Sequence, residues 1–323
     1  MLKKALLFVL LITTTIACHK EDKVTLVSST GRINHVLIVI KNSDWQGKIG
    51  DALRDIITVP VAGLPQEEQQ FSINHVAPET FSQLFKRSRN IMFVGFDEET
   101  KFYINKNIYA DPQITLSILG KSEQDIIDNI NTHKKEIISI FKSNDLKVYQ
   151  QKLSDDLWNP KNIETLKELG FTLKIPNQYV KVEDNGGFLW FRNDFTKGQM
   201  NIIAYTVPAK SPSDLNIEHI IKLRDSIGKK YIPGQFENTY MATEPQFKPI
   251  TKKLKFQGLD AIESRGLWIV ENDFMGGPFL NYTLYDMTNN RLIILEGFSY
   301  SPSTKKRDFV FEMESILKTF ENK

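Results

Sequence analysis

The chain has 323 residues, 41% of them hydrophobic and 25% charged, with 13 Pro, 17 Gly and one Cys. That composition excludes a collagen, a disordered chain and an array of membrane spans, and one cysteine excludes a disulfide framework. Of the 41 Lys plus Arg, two lie in residues 1–17, which hold no acid; the remaining 39 face 39 Asp plus Glu, so neither a phosphate-tracking surface nor a nucleic-acid partner is expected. The length leaves room for two domains of ordinary size.

The first element is an address. A cationic start, "MLKK", is followed by the apolar run "ALLFVLLI" and then by "TTTIA" and Cys18. The run is far short of the roughly 20 apolar residues that span a bilayer. Basic start, short apolar core and a small residue at the end read as an export signal over 1–17. The placement of Cys18 resembles the lipobox of bacterial lipoproteins. Ala17 fits the small position, and Thr15 stands where that family prefers Leu, Val or Ile. The resemblance implies cleavage before Cys18, lipidation of its sulfur and acylation of its amine by palmitate-type chains. Each buried CH₂ then contributes about 0.8 kcal/mol, so two or three chains anchor the protein to the bilayer. His19-Lys20-Glu21-Asp22 is similar to a surface-export signal that follows such a cysteine. The location implied is the bacterial envelope, on an outer membrane, with surface display favoured over a periplasm-facing position. Residues 18–31 read as a tether of roughly 20 Å.

A first half follows over 32–145. "NHVLIVIK" is a buried strand and 44–57 a helix carrying Trp45, Ile49, Leu53 and Ile56. "QQFSINHV" alternates as a strand. Pro78 opens a helix with Phe81, Leu84 and Phe85 inward. "NIMFVGF" is another buried strand, and "KFYINKNIYA" is a strand or an extended arm. Ser122 and Asp125 resemble a capping box ahead of a helix of about 20 residues with an isoleucine stripe. Alternating β and α predict a layered α/β domain. Residues 146–169 read as a helical junction broken at Pro160.

From 170 to 323 the texture is short strands and hairpins. Strands are expected at "FTLKIP", "YVKVED", "GFLWFRND" and "QMNIIAYTV", and then at 251–256, 259–270, 279–287 and 291–300. Asn185-Gly186 and Asn289-Asn290 mark turns. One helix carries Ile217, Ile220, Ile221 and Ile227 and ends at Gly228. A last helix places Phe309, Met313, Ile316, Leu317 and Phe320 on one face. The fold class expected for the chain is α+β: a layered α/β domain, then a largely antiparallel sheet with helices packed on one side of it. The "F-x-x-x-x-P" of Phe171 to Pro176, the later hairpins and the final helix resemble the Mog1/PsbP-like sandwiches. "GLDAIESRGLW", "FMGGPFLNY" and "RDFVFEMESILKTF" resemble a bacterial lipoprotein family defined only as a domain of unknown function, which supplies no active site to carry over.

Catalytic patterns are sparse. The five histidines form no i, i+3 or i, i+4 pair, and no Gly-x-Ser-x-Gly elbow or Walker loop is present. No metal or cofactor is expected, and lipidation of Cys18 takes up the one thiol. Two stretches carry a candidate ligand or partner surface. Trp190 and Arg192 share a strand face by period 2, and Arg265, Trp268 and Asp273 surround a Gly-Gly-Pro turn. Aromatics with Arg and acids suit a glycan or protein partner, while the same Trp residues equally suit an ordinary core. The expected role is non-catalytic binding or envelope assembly. The alternative is an envelope hydrolase, which requires two acids, or a Ser with a base, in one cleft.

Overall fold

The computed structural model describes residues 26–322. Cys18, the export signal and the first part of the expected tether lie outside them. Residues 26–31 run against the first half, with Ser28 bridged to Asp111 and Thr30 to Ser88.

The first half is a five-stranded sheet in the order β2-β1-β3-β5-β4. Its strands are β1 (His35–Val39), β2 (Ser72–Val76), β3 (Asn90–Phe96), β4 (Lys101–Lys106) and β5 (Ile114–Gly120). All pairings are parallel except that of β4 with β5. β5 is a central strand beyond those expected; its run "ITLSILG" is buried on both faces and so lacks the alternation of a half-buried strand. The helix expected over 44–57 is broken at Gly47 into α1 (Asn42–Gln46) and α2 (Lys48–Ile57). The short α3 (Gln83–Lys86) leaves Leu84 exposed, not inward as expected. The long isoleucine helix is two, α4 (Glu123–Thr132) and α5 (Lys134–Leu153). Ser122 caps α4 by accepting from the Asp125 N–H at 3.2 Å. At the break, His133 stacks on Phe102 with ring centroids 3.8 Å apart. Helices α2, α4 and α5 share one core with Val36, Ile38, Met92, Leu116 and Ile118.

The second half follows a short helix, α6 (Glu164–Glu168). Its main sheet runs β10-β12-β13-β14-β9-β8-β7, with β11 paired to β12. The strands are β7 (Val180–Asp184), β8 (Phe188–Phe195), β9 (Gly198–Pro208), β10 (Met241–Thr243), β11 (Ile250–Phe256), β12 (Leu259–Val270), β13 (Gly276–Asp286) and β14 (Arg291–Tyr300), every pairing antiparallel. β6 (Phe171–Thr172) pairs with the terminal β15 (Glu321–Asn322). Helices cover both faces rather than one. α8 (Arg307–Leu317) packs Val310, Met313, Ile316 and Leu317 on one face, over Ile202, Leu280 and Leu295. α7 (Ile217–Tyr231) covers the other, over Trp268, Phe279 and Phe298. Gly228 lies inside α7 instead of ending it, and the position needs glycine, because a Cβ there would stand 2.1 Å from the Met241 carbonyl oxygen. One turn earlier, buried Arg224 donates through Nε to Glu296 at 2.9 Å and fixes the helix to the sheet.

The halves share α8. Its outer side meets α5: Tyr149 donates to Glu312 at 2.5 Å, and Gln150 donates to the Ser315 carbonyl at 2.9 Å. Glu68, from the loop after α2, accepts the backbone N–H groups of Lys306 and Arg307 at 2.6 and 3.0 Å. Leu64 of that loop is buried in the second half's core. Gly63 makes the approach possible: its φ is +78°, and a Cβ would stand 2.6 Å from that of Arg265.

Candidate functional site

The five residues singled out on the second half do not form one surface. Period 2 holds, so Trp190 and Arg192 share the α7 face of β8. Trp190 donates to Asn201 at 2.8 Å, and Arg192 pairs with Asp194 at 3.0 Å. Trp268 is on that same face but four strands away, roughly 19 Å at the usual strand spacing. It is only 3% exposed, packed against Phe298 and donating to the Ser299 carbonyl at 3.2 Å. Arg265 is on the opposite face, beneath α8. Asp273 sits in the β12–β13 hairpin, accepting the Phe274 N–H at 2.6 Å. The Phe274 ring beside it is fully exposed. Arg265 and Trp268 are therefore interior residues, because a sheet covered on both faces buries both parities of its central strands.

Arg265 belongs to a buried ionic cluster. Glu314 of α8 lies 2.8 Å from Arg265, 2.9 Å from Lys142 of α5 and 2.6 Å from Lys318. Burial alone would push the Glu314 carboxyl up, but Lys142, Arg265 and Lys318 outweigh it and hold it well below the usual range. Burial pulls Lys142 down, against the attraction of Glu314. A second polar knot surrounds Asp145 of α5, which accepts the Asn34 N–H at 2.8 Å and the Asn90 amide at 3.0 Å. Desolvation raises the Asp145 carboxyl despite these donors and Arg89. Each acid is enclosed by its partners, and the space beside Glu314 is only about 10 Å³. The Glu314 cluster joins the halves, and neither knot leaves room for a substrate.

Two cavities adjoin on the outer face of α5. One cavity of about 520 Å³ sits between α5 and the β4–β5 edge, floored by Ile104, Ile114 and Ile140. A second, of about 420 Å³, sits between α5 and the β11–β12 hairpin, floored by Leu146, Leu254 and Phe256. Both are lined by Ser143 and Lys147, so they adjoin along α5, one toward the first-half sheet and the other toward the second half. α5 supplies Ile140, Ser143, Asn144, Lys147 and Gln151, the i, i+3, i+4, i+7, i+11 spacing of a single helix face. Opposite it, the 107–113 loop is tied to its surroundings by Gln113. Gln113 donates to the Lys86 and Ser88 carbonyls at 2.6 and 2.7 Å and accepts the Tyr109 N–H at 2.9 Å.

The charge on the groove is one-sided. Lys106, Lys147, Lys255 and Lys318 line it, and Asp111 is its one acid. Lys318 is shared with Glu314, and Lys255 pairs with Asp260 at 2.8 Å. Lys106 and Lys147 make no ion pair among the described residues. Asn107, Asn144, Gln151 and Gln257 add amides, each with a donor and an acceptor end. Among the described residues, no three His, Cys, Asp or Glu side chains gather as a metal site requires. The groove was legible only as fragments: the near acid-free outer stripe of α5 and the lysines of "KKLKF". Nothing in one sequence shows that these two meet.

The family described as "Domain of unknown function (DUF4837)" matches residues 158–319. That described as "Domain of unknown function (DUF8532)" matches residues 29–154. No curated protein matches the chain. Among solved structures, a protein of Bacteroides thetaiotaomicron is 19% identical with a TM-score of 0.27, the match covering 48% of this chain and 45% of that one. The Ran-binding protein Mog1p of Saccharomyces cerevisiae is 9% identical with a TM-score of 0.31, over 47% of this chain and 90% of its own. LpqN of Mycobacterium tuberculosis, involved in cell envelope biogenesis, is 9% identical with a TM-score of 0.30, over 46% and 80%. No helix among the described residues is long and apolar enough to cross a membrane.

Proposed function

Since the chain belongs to the family described as "Domain of unknown function (DUF4837)", which carries no assigned activity, we propose a function from the groove itself: a binding protein of the bacterial envelope that holds an anionic, hydroxyl-rich glycan along α5. The observation that carries this is the lining of the two adjoining cavities: four lysines, four amides and one acid, contributed by both halves. Lysine ammonium groups meet carboxylates or phosphates as point charges. The amides match hydroxyl groups, which both donate and accept. The isoleucine floor offers an apolar bed for the ring faces of sugars. The role in this reading is binding or assembly.

The anchor in this reading is Cys18. The protein is an outer-membrane lipoprotein held by acyl chains on that residue and displayed at the surface by the Lys20-Glu21-Asp22 signal. Mass spectrometry of the mature N-terminus tests the anchor: a diacylglycerol-modified Cys18 is expected, and a free thiol there overturns it. For the groove, a photo-crosslinker placed at exposed Ser143 in intact envelopes recovers glycan. Recovery of protein alone contradicts the glycan assignment.

A further inference from the structure

A separate cavity of about 430 Å³ opens on the seam between the halves and shares no lining residue with the α5 groove. Arg32, His35, Ser72 and Asn74 line it from the first half, Arg307 and Asp308 from the second. Arg307 is held in place. Its Nη1 donates to the Gln69 carbonyl at 3.0 Å and to the Ser72 hydroxyl at 3.3 Å, and its Nε donates to Asp308 at 2.9 Å. Asp308 also accepts the Asn34 amide at 3.1 Å. Arg32 has no hydrogen bond or ion pair among the described residues and is exposed. Two guanidinium groups against one carboxylate leave the cavity one positive charge in excess.

We propose that this seam cavity binds a small oxyanion group, a phosphate, sulfate or carboxylate, clamped between Arg32 of the first half and Arg307 of the second. Arg32 offers a whole guanidinium fork to the paired oxygens of such a group, and Arg307 offers the Nη2 donors that its bonds to Gln69, Ser72 and Asp308 leave over. His35, Ser72 and Asn74 supply the remaining hydrogen bonds, and Asp308 directs the anion to the Arg32 side by repulsion. The site is distinct from the proposed glycan groove and does not depend on it.

The anion also engages His35. Burial holds the His35 ring below its usual pKa; a hydrogen bond with Asn74 opposes this, and Arg32 and Arg307 add to the lowering. The charged groups facing the ring are Arg32 from the approach to β1 and Arg307 with Asp308 from α8. β2 contributes neutral Ser72 and Asn74, and on the β3 side Asn90 donates to the His35 carbonyl at 3.2 Å. An anion between the arginines neutralises their field and gives a protonated ring a partner. Binding therefore takes up a proton, and affinity rises as pH falls.

Calorimetric titration of the whole mature chain with inorganic sulfate and phosphate tests the site. Sulfate keeps its charge between pH 5.5 and 7.5 and serves as the pH probe. One saturable site is expected, with affinity several-fold tighter at pH 5.5 than at 7.5. Arg32→Ala weakens it at least tenfold without moving the melting temperature, Arg307→Lys weakens it while preserving the charge, and His35→Asn removes the pH dependence. Lys106→Glu with Lys147→Glu leaves sulfate binding intact, which separates this site from the groove. Absence of saturation with either anion, or Arg32→Ala binding like wild type, overturns the proposal; a flat pH profile in the wild type overturns the role of His35.

Discussion

Glu314 is a buried carboxylate beneath three basic side chains, and its worth lies in what its removal strands. Without it Arg265 keeps only Glu263, at 2.6 Å, and buried Lys142 has no acid. Glu314→Gln is expected to cost about 3–5 kcal/mol in urea denaturation, the usual effect of breaking a buried pair from one side. Because the folded carboxyl is held low, its stabilisation is fully present above the unfolded carboxyl range and is lost as pH falls through the folded value. Acid unfolding of the wild type should therefore be steeper than that of Glu314→Gln. Trp268→Ala belongs to the same scale: a Trp 3% exposed should lose about 3–5 kcal/mol of stability in the same assay. At this scale the sequence disclosed the shared face of Trp190 and Arg192, since that needs only the strand period. It could not disclose that Arg265 meets Glu314, 49 positions away, because the pairing exists only once α8 lies across the sheet.

Helix α8 shows how a correct element can hide its packing. The stripe of Met313, Ile316 and Leu317 is plain in the sequence and faces the sheet, as expected. Phe311, Glu312, Glu314 and Ser315 lie off that stripe and meet α5 through hydrogen bonds, an ion pair and the Tyr149–Phe311 ring contact at 6.0 Å. The isoleucine period likewise runs through both α4 and α5, and the boundary between them falls at His133, stacked on Phe102. Glu68 is the distant cap of α8, taking two N–H groups that the helix itself leaves unpaired. Glu68→Ala should cost about 1–2 kcal/mol, the loss of a good N-cap, measured by denaturation. Limited proteolysis should then cleave first in the loop after α2, because that loop loses its tie to the second half.

The two halves act as one body through α8, α5 and the loop after α2. A single calorimetric unfolding transition is expected, because neither half keeps its core closed without the other: Leu64 fills the second core, and α8 is covered on its outer side by α5. The sequence indicated two regions of different texture and their α/β and antiparallel character. It did not indicate the groove, which exists only because the halves dock with α5 between the β4–β5 edge and the β11–β12 hairpin. That docking brings Lys106, Lys147, Lys255 and Lys318 from distant segments to the two adjoining cavities. Calorimetric titration of the mature chain with oligogalacturonate, against neutral dextran oligomers, tests the account most directly. Saturable binding of the acidic oligomer is expected, lost at least tenfold in Lys106→Glu/Lys147→Glu with its fold intact and weakened by added salt. Equal affinity for the acidic and neutral oligomers, or undiminished binding by that variant, would contradict it.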